Sequence, residues 1–329
     1  MRHLLASMLM TLVVSSSIPL PGVRGQARRV DPGFIVGIFR PDGVIVPFAQ
    51  YARRRWTNPW HKQLPGAQPD EPETIADLPR PWYRSFVKPA NRWQLILPTR
   101  RGTIAIALKN IQVCSHCQKV WGPLTNYPNP KQPDKNECVR NLGIALSQNR
   151  RALPMAPITD RTRDWRRIIR FVALRFDRAE TAGLAHTVPE FVAQLPPPQA
   201  RTGVRLSILN LYRVRVPDDK RTVFFYFEAS KEYPKPTKAN DPGCNNISLL
   251  SGWGARTPDG KLRLLASEYS ATDCDMKEGN LDIPYAILRL DGKTFAIVEE
   301  DSYEGESYVV LEIRRRSIRR VLETYAGSC

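Results

Sequence analysis

Short runs of alternating apolar and polar residues recur along most of this chain, and alternation at period two is typical of strands that bury one face. Three of these runs are divided by an Asp-Gly pair: GFIVGIFRPDGVIVPFAQY (33–51), LSGWGARTPDGKLRLLASEY (250–269) and YAILRLDGKTFAIVEE (285–300). Glycine readily accepts the positive φ that hairpin turns require. Each of these segments is therefore predicted to form a β-hairpin.

Three further strand pairs are predicted from apolar runs at residues 93–108, 204–230 and 307–325. In the second of these, a set of apolar positions shares one face at period two, interrupted only by Asn210. The set comprises Val204, Leu206, Ile208, Tyr212, Val214 and Val216. With about twelve to fourteen strands, the chain is predicted to be mostly β, with a propeller-like or β-sandwich architecture of hairpins.

One segment departs from this pattern and predicts an amphipathic helix near 162–180. Its apolar residues are spaced three and four apart, which places them along one face of a helix. They are Trp165, Ile168, Ile169, Val172 and Phe176. Thr162 is a suitable N-cap, and four arginines at 163, 166, 167 and 170 lie off the apolar stripe.

The start of the chain has the anatomy of a secretory signal peptide. Arg2 precedes a short apolar core, and Gly25 with Ala27 gives a small-x-small cleavage pattern. We therefore expect a signal peptide at 1–27 and an exported protein, periplasmic or extracellular, whose residues 28–329 form a mostly-β domain. The proline-rich segment 194–202 is a candidate sub-boundary. No later apolar run reaches the about 20 residues that a transmembrane helix needs.

The charge of the chain indicates its partners. The formal net charge is +17, and removing residues 1–27, which contain two arginines and no acids, leaves +15. A protein this basic is expected to bind an anionic polymer or surface, namely anionic polysaccharide, nucleic acid or a membrane surface. The charge carries no information on the oligomeric state.

One basic segment combines charge with flat rings and is the candidate ligand-binding surface. In YARRRWTNPWHK (51–62), Arg53, Arg54 and Arg55 are interleaved with Trp56 and Trp60. Guanidinium groups beside aromatic rings suit stacking on bases or on the sugars of acidic glycans. The alternative is a strand end whose tryptophans pack in a β core.

The cysteines predict structural disulfides. Cys114 and Cys117 form a C-x-x-C motif, but Gln118 follows it, so it is not a haem c attachment site. A proline-rich stretch follows instead of the helix that a thioredoxin-like site needs, and zinc lacks well-placed histidines. The disulfide candidates are Cys114, Cys117, Cys138, Cys244, Cys274 and Cys329. Three lie on each side of 194–202, so full oxidation requires at least one bridge across that segment.

Enzymatic function is the weaker hypothesis. The chain has no G-x-S-x-G, H-E-x-x-H or P-loop motif, and we predict neither a cofactor nor a metal site. The alternative function is a carboxylate-based hydrolase acting on glycans, since acids on neighbouring hairpins can converge without any sequence motif. Glu228, Asp273, Asp275 and Glu299 are conceivable for that role, although solvated surface acids are the more ordinary interpretation.

Overall fold

The computed structural model describes residues 33–59, 92–97, 101–105, 111–115, 119–123, 125, 141–158, 163–183, 195–201, 203–215, 222–234, 245–272, 281–302 and 305–327. Within these ranges the protein is mostly β, with eighteen strands and two helices. The predicted signal peptide lies outside the described residues.

Three antiparallel sheets contain most of the strands. Sheet 1 contains β1 (Phe34–Phe39), β2 (Ile45–Ala52), β3 (Arg55–Thr57), β4 (Arg92–Ile96), β5 (Arg101–Ala105) and β8 (Gly143–Leu146), in the order β3-β2-β1-β8-β4-β5. Sheet 2 contains β10 (Ala156–Pro157), β11 (Ser207–Arg215), β12 (Val223–Tyr233), β13 (Asn246–Arg256) and β14 (Leu262–Thr272), in chain order. Sheet 3 contains β9 (Ala152–Pro154), β15 (Leu281–Leu290), β16 (Lys293–Ser302), β17 (Gly305–Ile313) and β18 (Ile318–Gly327), in the order β18-β17-β16-β15-β9. A separate ribbon pairs β6 (Ile111–Ser115) with β7 (Lys119–Pro123).

Sheet 3 packs against sheet 1 on one face and against sheet 2 on the other. Along β16, Phe295 and Ile297 belong to a core cluster with sheet 1 residues. Ala296 and Val298, which point the opposite way, belong to a second cluster with sheet 2 residues. A strand covered on both faces needs a continuous apolar run, which explains the sequence FAIV in this position.

The helix α1 (Arg163–Gly183) covers the remaining face of sheet 2. Its buried residues include Ile168, Val172 and Phe176, which pack against Phe225 and Phe227 of β12. Burying one apolar side chain of this size stabilises the fold by about 1.5–3 kcal/mol. The predicted helix near 162–180 is therefore present and extends to Gly183, and a second, four-residue helix, α2 (Pro198–Arg201), lies within the candidate sub-boundary.

The three Asp-Gly segments all form the predicted hairpins. They join β1 to β2, β13 to β14 and β15 to β16. Gly43, Gly260 and Gly292 have φ values of 84°, 81° and 76°, in the left-handed region that glycine tolerates. The strand pairs β4–β5, β11–β12 and β17–β18 are also present.

The predicted single apolar face of residues 204–216 is wrong. The register between β11 and β12 shifts between Ile208 and Asn210, so Leu209 is an extra residue. Such a bulge moves the residues after it to the other face of the sheet. Ile208 accordingly packs with the α1 cluster, whereas Tyr212 packs with the cluster between sheets 2 and 3.

The architecture is only partly as predicted. Within the described ranges the sheets are open and antiparallel, and neither a propeller nor a barrel closure is found. The number of strands exceeds the expected twelve to fourteen because several are short, including the two-residue β10. None of the described helices has the length and apolar character needed to cross a bilayer.

Candidate anion-binding surfaces and buried carboxylate networks

The predicted arginine segment forms the tip of a tight hairpin. Ala52 pairs with Arg55, so Arg53 and Arg54 are the two turn residues between β2 and β3. Their φ values are 51° and 63°, both left-handed, as a type I′ turn requires. Arg53, Arg54 and Arg55 are all exposed, and we call them the arginine hairpin. Arg54 Nε lies 3.9 Å from a carboxylate oxygen of Asp291, with its side chain 82% exposed.

Trp56 anchors this hairpin to the core. Its ring centroid lies 4.9 Å from that of Tyr51, 5.5 Å from that of Phe295 and 6.0 Å from that of Phe34. It is half-buried and packs within this aromatic group, whereas the neighbouring arginines at the tip are exposed. Trp60, the second ring of the predicted surface, lies outside the described residues.

A second basic surface lies on α1 and was not among the predicted binding surfaces. Five arginines on the outward side of the helix are exposed, and we call them the arginine face. They are Arg163, Arg166, Arg167, Arg170 and Arg178. Within the described part of the chain, these five guanidinium groups form no ion pair or hydrogen bond. Leu174, 68% exposed, lies among them.

The acids of α1 are engaged elsewhere. Asp164 accepts two hydrogen bonds of 2.8 Å from Arg256 Nη1 of β13. Asp177 lies 2.7 Å from Lys231 Nζ of β12, and Glu180 is buried against sheet 2. The three acids of the helix thus pair with two cations of the sheet, Arg256 and Lys231, and not with the arginine face.

A shallow groove with a cavity volume of about 20 Å³ lies between the start of α1 and sheet 2. Three arginines border it, namely Arg167 of α1, Arg213 of β11 and Arg256 of β13. We call it the arginine groove. Its other lining residues are Asp164 and the apolar set Ile158, Ile168, Val223, Phe225 and Leu262. Because Arg256 pairs with Asp164, the groove retains the charges of Arg167 and Arg213 for a bound anion.

Two of the acids considered for catalysis are deeply buried, and the interpretation of them as solvated surface acids is wrong. Glu228 is 2% exposed and Glu299 is 4% exposed. Glu228 Oε1 accepts hydrogen bonds of 2.7 Å from the Tyr226 hydroxyl and from the backbone N–H of Asp282. Asn210 donates to its other oxygen. This network lies where sheets 2 and 3 face each other.

Glu299 has an equivalent position between sheets 1 and 3. Its carboxylate accepts hydrogen bonds from the Tyr285 hydroxyl and, at 2.8 Å, from Asn141 Nδ2. The same amide donates to Glu306 at 2.9 Å. Burial and the nearby Glu299 carboxylate raise the pKa of Tyr285 well above its usual value. The phenol therefore stays protonated and continues to donate.

The third buried glutamate, Glu180, joins α1 to sheet 2. It accepts hydrogen bonds of 2.6 Å from the Tyr233 hydroxyl and 2.8 Å from the Ser248 hydroxyl. Lys231 Nζ lies 3.7 Å from its other oxygen. Each of the three layer contacts thus contains a buried glutamate that accepts a hydrogen bond from a tyrosine hydroxyl.

Asp282 is the carboxyl group whose environment is most unusual. Burial, followed by the carboxylates of Glu300, Glu228 and Glu268, raises the pKa of Asp282 to about 8. A charged form at neutral pH would place a further negative charge beside these carboxylates at a largely buried position. Asp282 is therefore mostly protonated at pH 7. Within the described ranges, no group of three acids, histidines or cysteines has the arrangement of a metal site.

The other predicted site residues are not placed by the structure. Asp273, Asp275 and five of the six cysteines lie outside the described residues, and Cys114 is described only as part of the backbone of β6. The structure therefore leaves the disulfide prediction as it stood.

Comparison with known proteins identifies no family for this chain. A scan against protein-family models and searches of curated proteins and of solved structures find no significant match to the chain.

Proposed function

We propose that this protein is a binding module for an anionic polymer or surface, and that the arginine hairpin contacts the ligand. The observation that carries the proposal is the conformation of Arg53 and Arg54. Both have the left-handed φ values that a type I′ turn requires, and such turns usually contain Asn-Gly or Asp-Gly. A non-glycine residue in this region costs about 1–2 kcal/mol. Two adjacent exposed arginines at these turn positions therefore lower the stability of the fold. A ligand contact that depends on their charge explains why arginine occupies both positions.

The overall charge supports the same proposal. At +17 for the chain, long-range attraction would concentrate the protein on any polyanion before specific contacts form. The arginine hairpin then offers three adjacent guanidinium groups, each able to form a bidentate pair with a carboxylate, sulfate or phosphate group.

The hydrolase alternative is less well supported by the acids that the structure describes. Glu228 and Glu299 are almost fully buried and accept hydrogen bonds from tyrosine and asparagine side chains. A glycosidase needs its two carboxyl groups on opposite sides of an accessible substrate bond. Neither of these glutamates is presented to a polymer, so we favour binding over catalysis.

A charge-removing variant that also relieves the turn strain tests the arginine hairpin. We expect Arg53→Asn/Arg54→Gly/Arg55→Thr to elute from a heparin column at lower salt, while its melting temperature is unchanged or higher. Each lost ionic contact should reduce the slope of log affinity against log salt by about one. Because the melting temperature does not fall, a loss of binding cannot be attributed to unfolding.

The control is Arg314→Ser/Arg315→Ser/Arg316→Ser, which removes the same formal charge from the exposed turn before β18. Arg314 pairs with Glu312 there, and Arg319 remains as a partner of that carboxylate in the variant. We expect a smaller loss of retention from this variant. Equal losses would show that net charge alone governs retention and would remove the hairpin from the proposal.

We further propose that the protein is exported and carries three structural disulfides. One measurement on protein secreted with its leader addresses both points, because non-reducing peptide mapping identifies the first residue and the linked cysteines. We expect a start near Arg28 and at least one bridge between Cys114, Cys117 or Cys138 and Cys244, Cys274 or Cys329. A bridge closing more than about 100 residues would contribute about 4–5 kcal/mol in the chain-entropy model.

Two results would contradict this pair of proposals separately. An intact Met1 on the exported protein would contradict cleavage. Free thiols at Cys114 and Cys117, or bridges confined to each side of 194–202, would contradict the disulfide framework.

A further inference from the structure

We propose that α1 and the arginine groove at its start form a binding site for a linear acidic polysaccharide, with sulfate or carboxylate groups paired to the arginines. This inference rests on the proposed function, but it names a different surface and a narrower ligand class. The site is separate from the arginine hairpin, because α1 covers sheet 2 whereas the hairpin belongs to sheet 1.

The arginine face is linear. Arg163 and Arg178 are separated by fifteen residues, which corresponds to about 22 Å along a helix axis at 1.5 Å per residue. Arg167 and Arg170 lie between them on the same outward side. A row of this length can contact several successive anionic groups of an extended polymer at once. It exceeds what one isolated anion requires.

The charges of the row are available to a ligand. An arginine that already has a carboxylate partner loses that contact on binding an anion, which offsets part of the gain. Here the carboxylates of Asp164 and Asp177 are held by Arg256 and Lys231 of sheet 2. The arginine face therefore has no partner to give up within the described part of the chain.

The arginine groove provides a fixed end for the row. Arg167 is shared by the row and the groove, and Arg213 projects from β11 on its other side. Gly260, in the turn between β13 and β14, borders the Arg167 guanidinium, since a Cβ there would lie at an ordinary contact distance of 3.6 Å from Arg167 Nη1. Leu262, which is partly exposed at the edge of the groove, can pack against the C–H face of a sugar ring beside a paired anionic group, whereas Phe225 beneath it is fully buried.

The surrounding surface favours a polysaccharide over the two other polyanions. Single-stranded nucleic acid is bound with exposed aromatic rings that stack on bases, whereas the exposed large apolar residues of the described chain are Leu174 and Leu209, and neither is aromatic. Membrane-surface helices bury an apolar face in the lipid. The apolar face of α1 is already packed on sheet 2, with Val172 and Phe176 fully buried.

Three variants with equal charge loss test the inference. The helix variant is Arg163→Gln/Arg166→Gln/Arg170→Gln, in which glutamine preserves the helix propensity. The hairpin variant and the Arg314–Arg316 variant described above serve as comparisons. Affinity for a size-defined heparin oligosaccharide would be measured by calorimetry at about 0.15 M salt, together with a single-stranded oligodeoxynucleotide and vesicles containing phosphatidylserine. We expect the heparin affinity of the helix variant to fall at least about tenfold. This loss should be larger than the loss of affinity in the Arg314–Arg316 variant.

A second measurement needs no substitution. The rate of arginine modification by phenylglyoxal, followed by mass spectrometry, should fall at Arg163, Arg166 and Arg170 when the oligosaccharide is bound. The rate at Arg315 should not change. Protection at both places, or at neither, would overturn the inference even if the helix variant failed to fold.

The remaining outcomes separate the inference from the proposed function. If the wild-type protein binds no polyanion, both fail. If the hairpin variant loses binding and the helix variant does not, the proposed function stands and the α1 site is wrong. If the helix variant loses more affinity for the oligonucleotide or the vesicles than for heparin, the polysaccharide class is wrong.

Discussion

Replacing Asp282 with asparagine is expected to stabilise the folded protein at neutral pH, by an amount that increases from about pH 4 to pH 8. Burial and neighbouring carboxylates raise the pKa of Asp282 to about 8 in the folded state. In the unfolded chain an aspartate titrates near its ordinary value of about 3.9. Between these two pH values the unfolded chain has released a proton that the folded protein still holds.

The sign of the effect follows from proton linkage. Because the unfolded state binds fewer protons in this window, stability falls as the pH rises and becomes constant above the folded-state pKa. Each pH unit corresponds to about 1.4 kcal/mol, so the cost at pH 7 is on the order of 4 kcal/mol. Asparagine has no proton to release, so the variant avoids this cost.

Urea unfolding of both proteins at several pH values measures the difference. Asp259→Asn is the control, because this exposed carboxyl has its pKa lowered by a hydrogen bond from Thr257, the opposite direction. We expect no gain from Asp259→Asn on raising the pH. Parallel pH profiles of the wild type and Asp282→Asn would contradict the proposed environment of Asp282.

Replacing Lys231 with methionine is expected to destabilise the protein by about 3–5 kcal/mol, the usual cost of leaving a buried charge without its partner. Lys231 is almost fully buried, with Nζ 2.7 Å from Asp177 and 3.7 Å from Glu180. Its ammonium group also lies 5.2 Å from the centre of the Phe176 ring. Asp177 can turn to water, since its side chain is 66% exposed, but Glu180 cannot.

A double-mutant cycle identifies the source of that loss. Glu180→Gln keeps an acceptor for Tyr233 and Ser248 but removes the buried negative charge. We expect Lys231→Met/Glu180→Gln to be more stable than Lys231→Met alone in urea unfolding. If the losses of unfolding free energy in the two single variants simply add, Lys231 and Glu180 are not coupled. The buried pair then does not join α1 to sheet 2 as described.

The local structure could be predicted wherever one residue type has one conformational role. The Asp-Gly pairs at 42–43, 259–260 and 291–292 predicted three hairpins, because glycine accepts the left-handed φ with less strain than other residues. The helix was found because Ile168, Val172 and Phe176 repeat at helical spacing. In both cases the signal lies within a few residues.

The stacking of the sheets could not be predicted in the same way. A run such as FAIV is compatible with one buried face or with two, and the partner that covers each face is distant in sequence. The bulge at Leu209 also leaves no clear sequence signal, yet it reverses every side chain that follows it. The placement of Glu228 was missed for a related reason, although its position inside the apolar run VFFYFEAS was a usable signal.

The candidate sites were likewise predictable only where they depend on neighbouring residues in the sequence. The exposure of Arg53–Arg55 was expected from three consecutive charges, but the left-handed turn was not, because arginine rarely occupies it. The arginine groove combines Arg167, Arg213 and Arg256 from a helix and two strands. No spacing in the sequence brings these three together, since only the packing of α1 on sheet 2 does so.

The central position of sheet 3 has a consequence for the folding rate. Its strand β9 pairs with β15, so Leu153 meets Ile287 across more than a hundred residues of chain. Both faces of the sheet are then covered by strands from distant parts of the sequence, on one side 34–52 and on the other 223–256. Chains dominated by such distant contacts fold in about milliseconds to seconds, far more slowly than helical bundles, since loop closure precedes any gain from packing. Both faces of sheet 3 can therefore be covered only after segments from distant parts of the chain have come together.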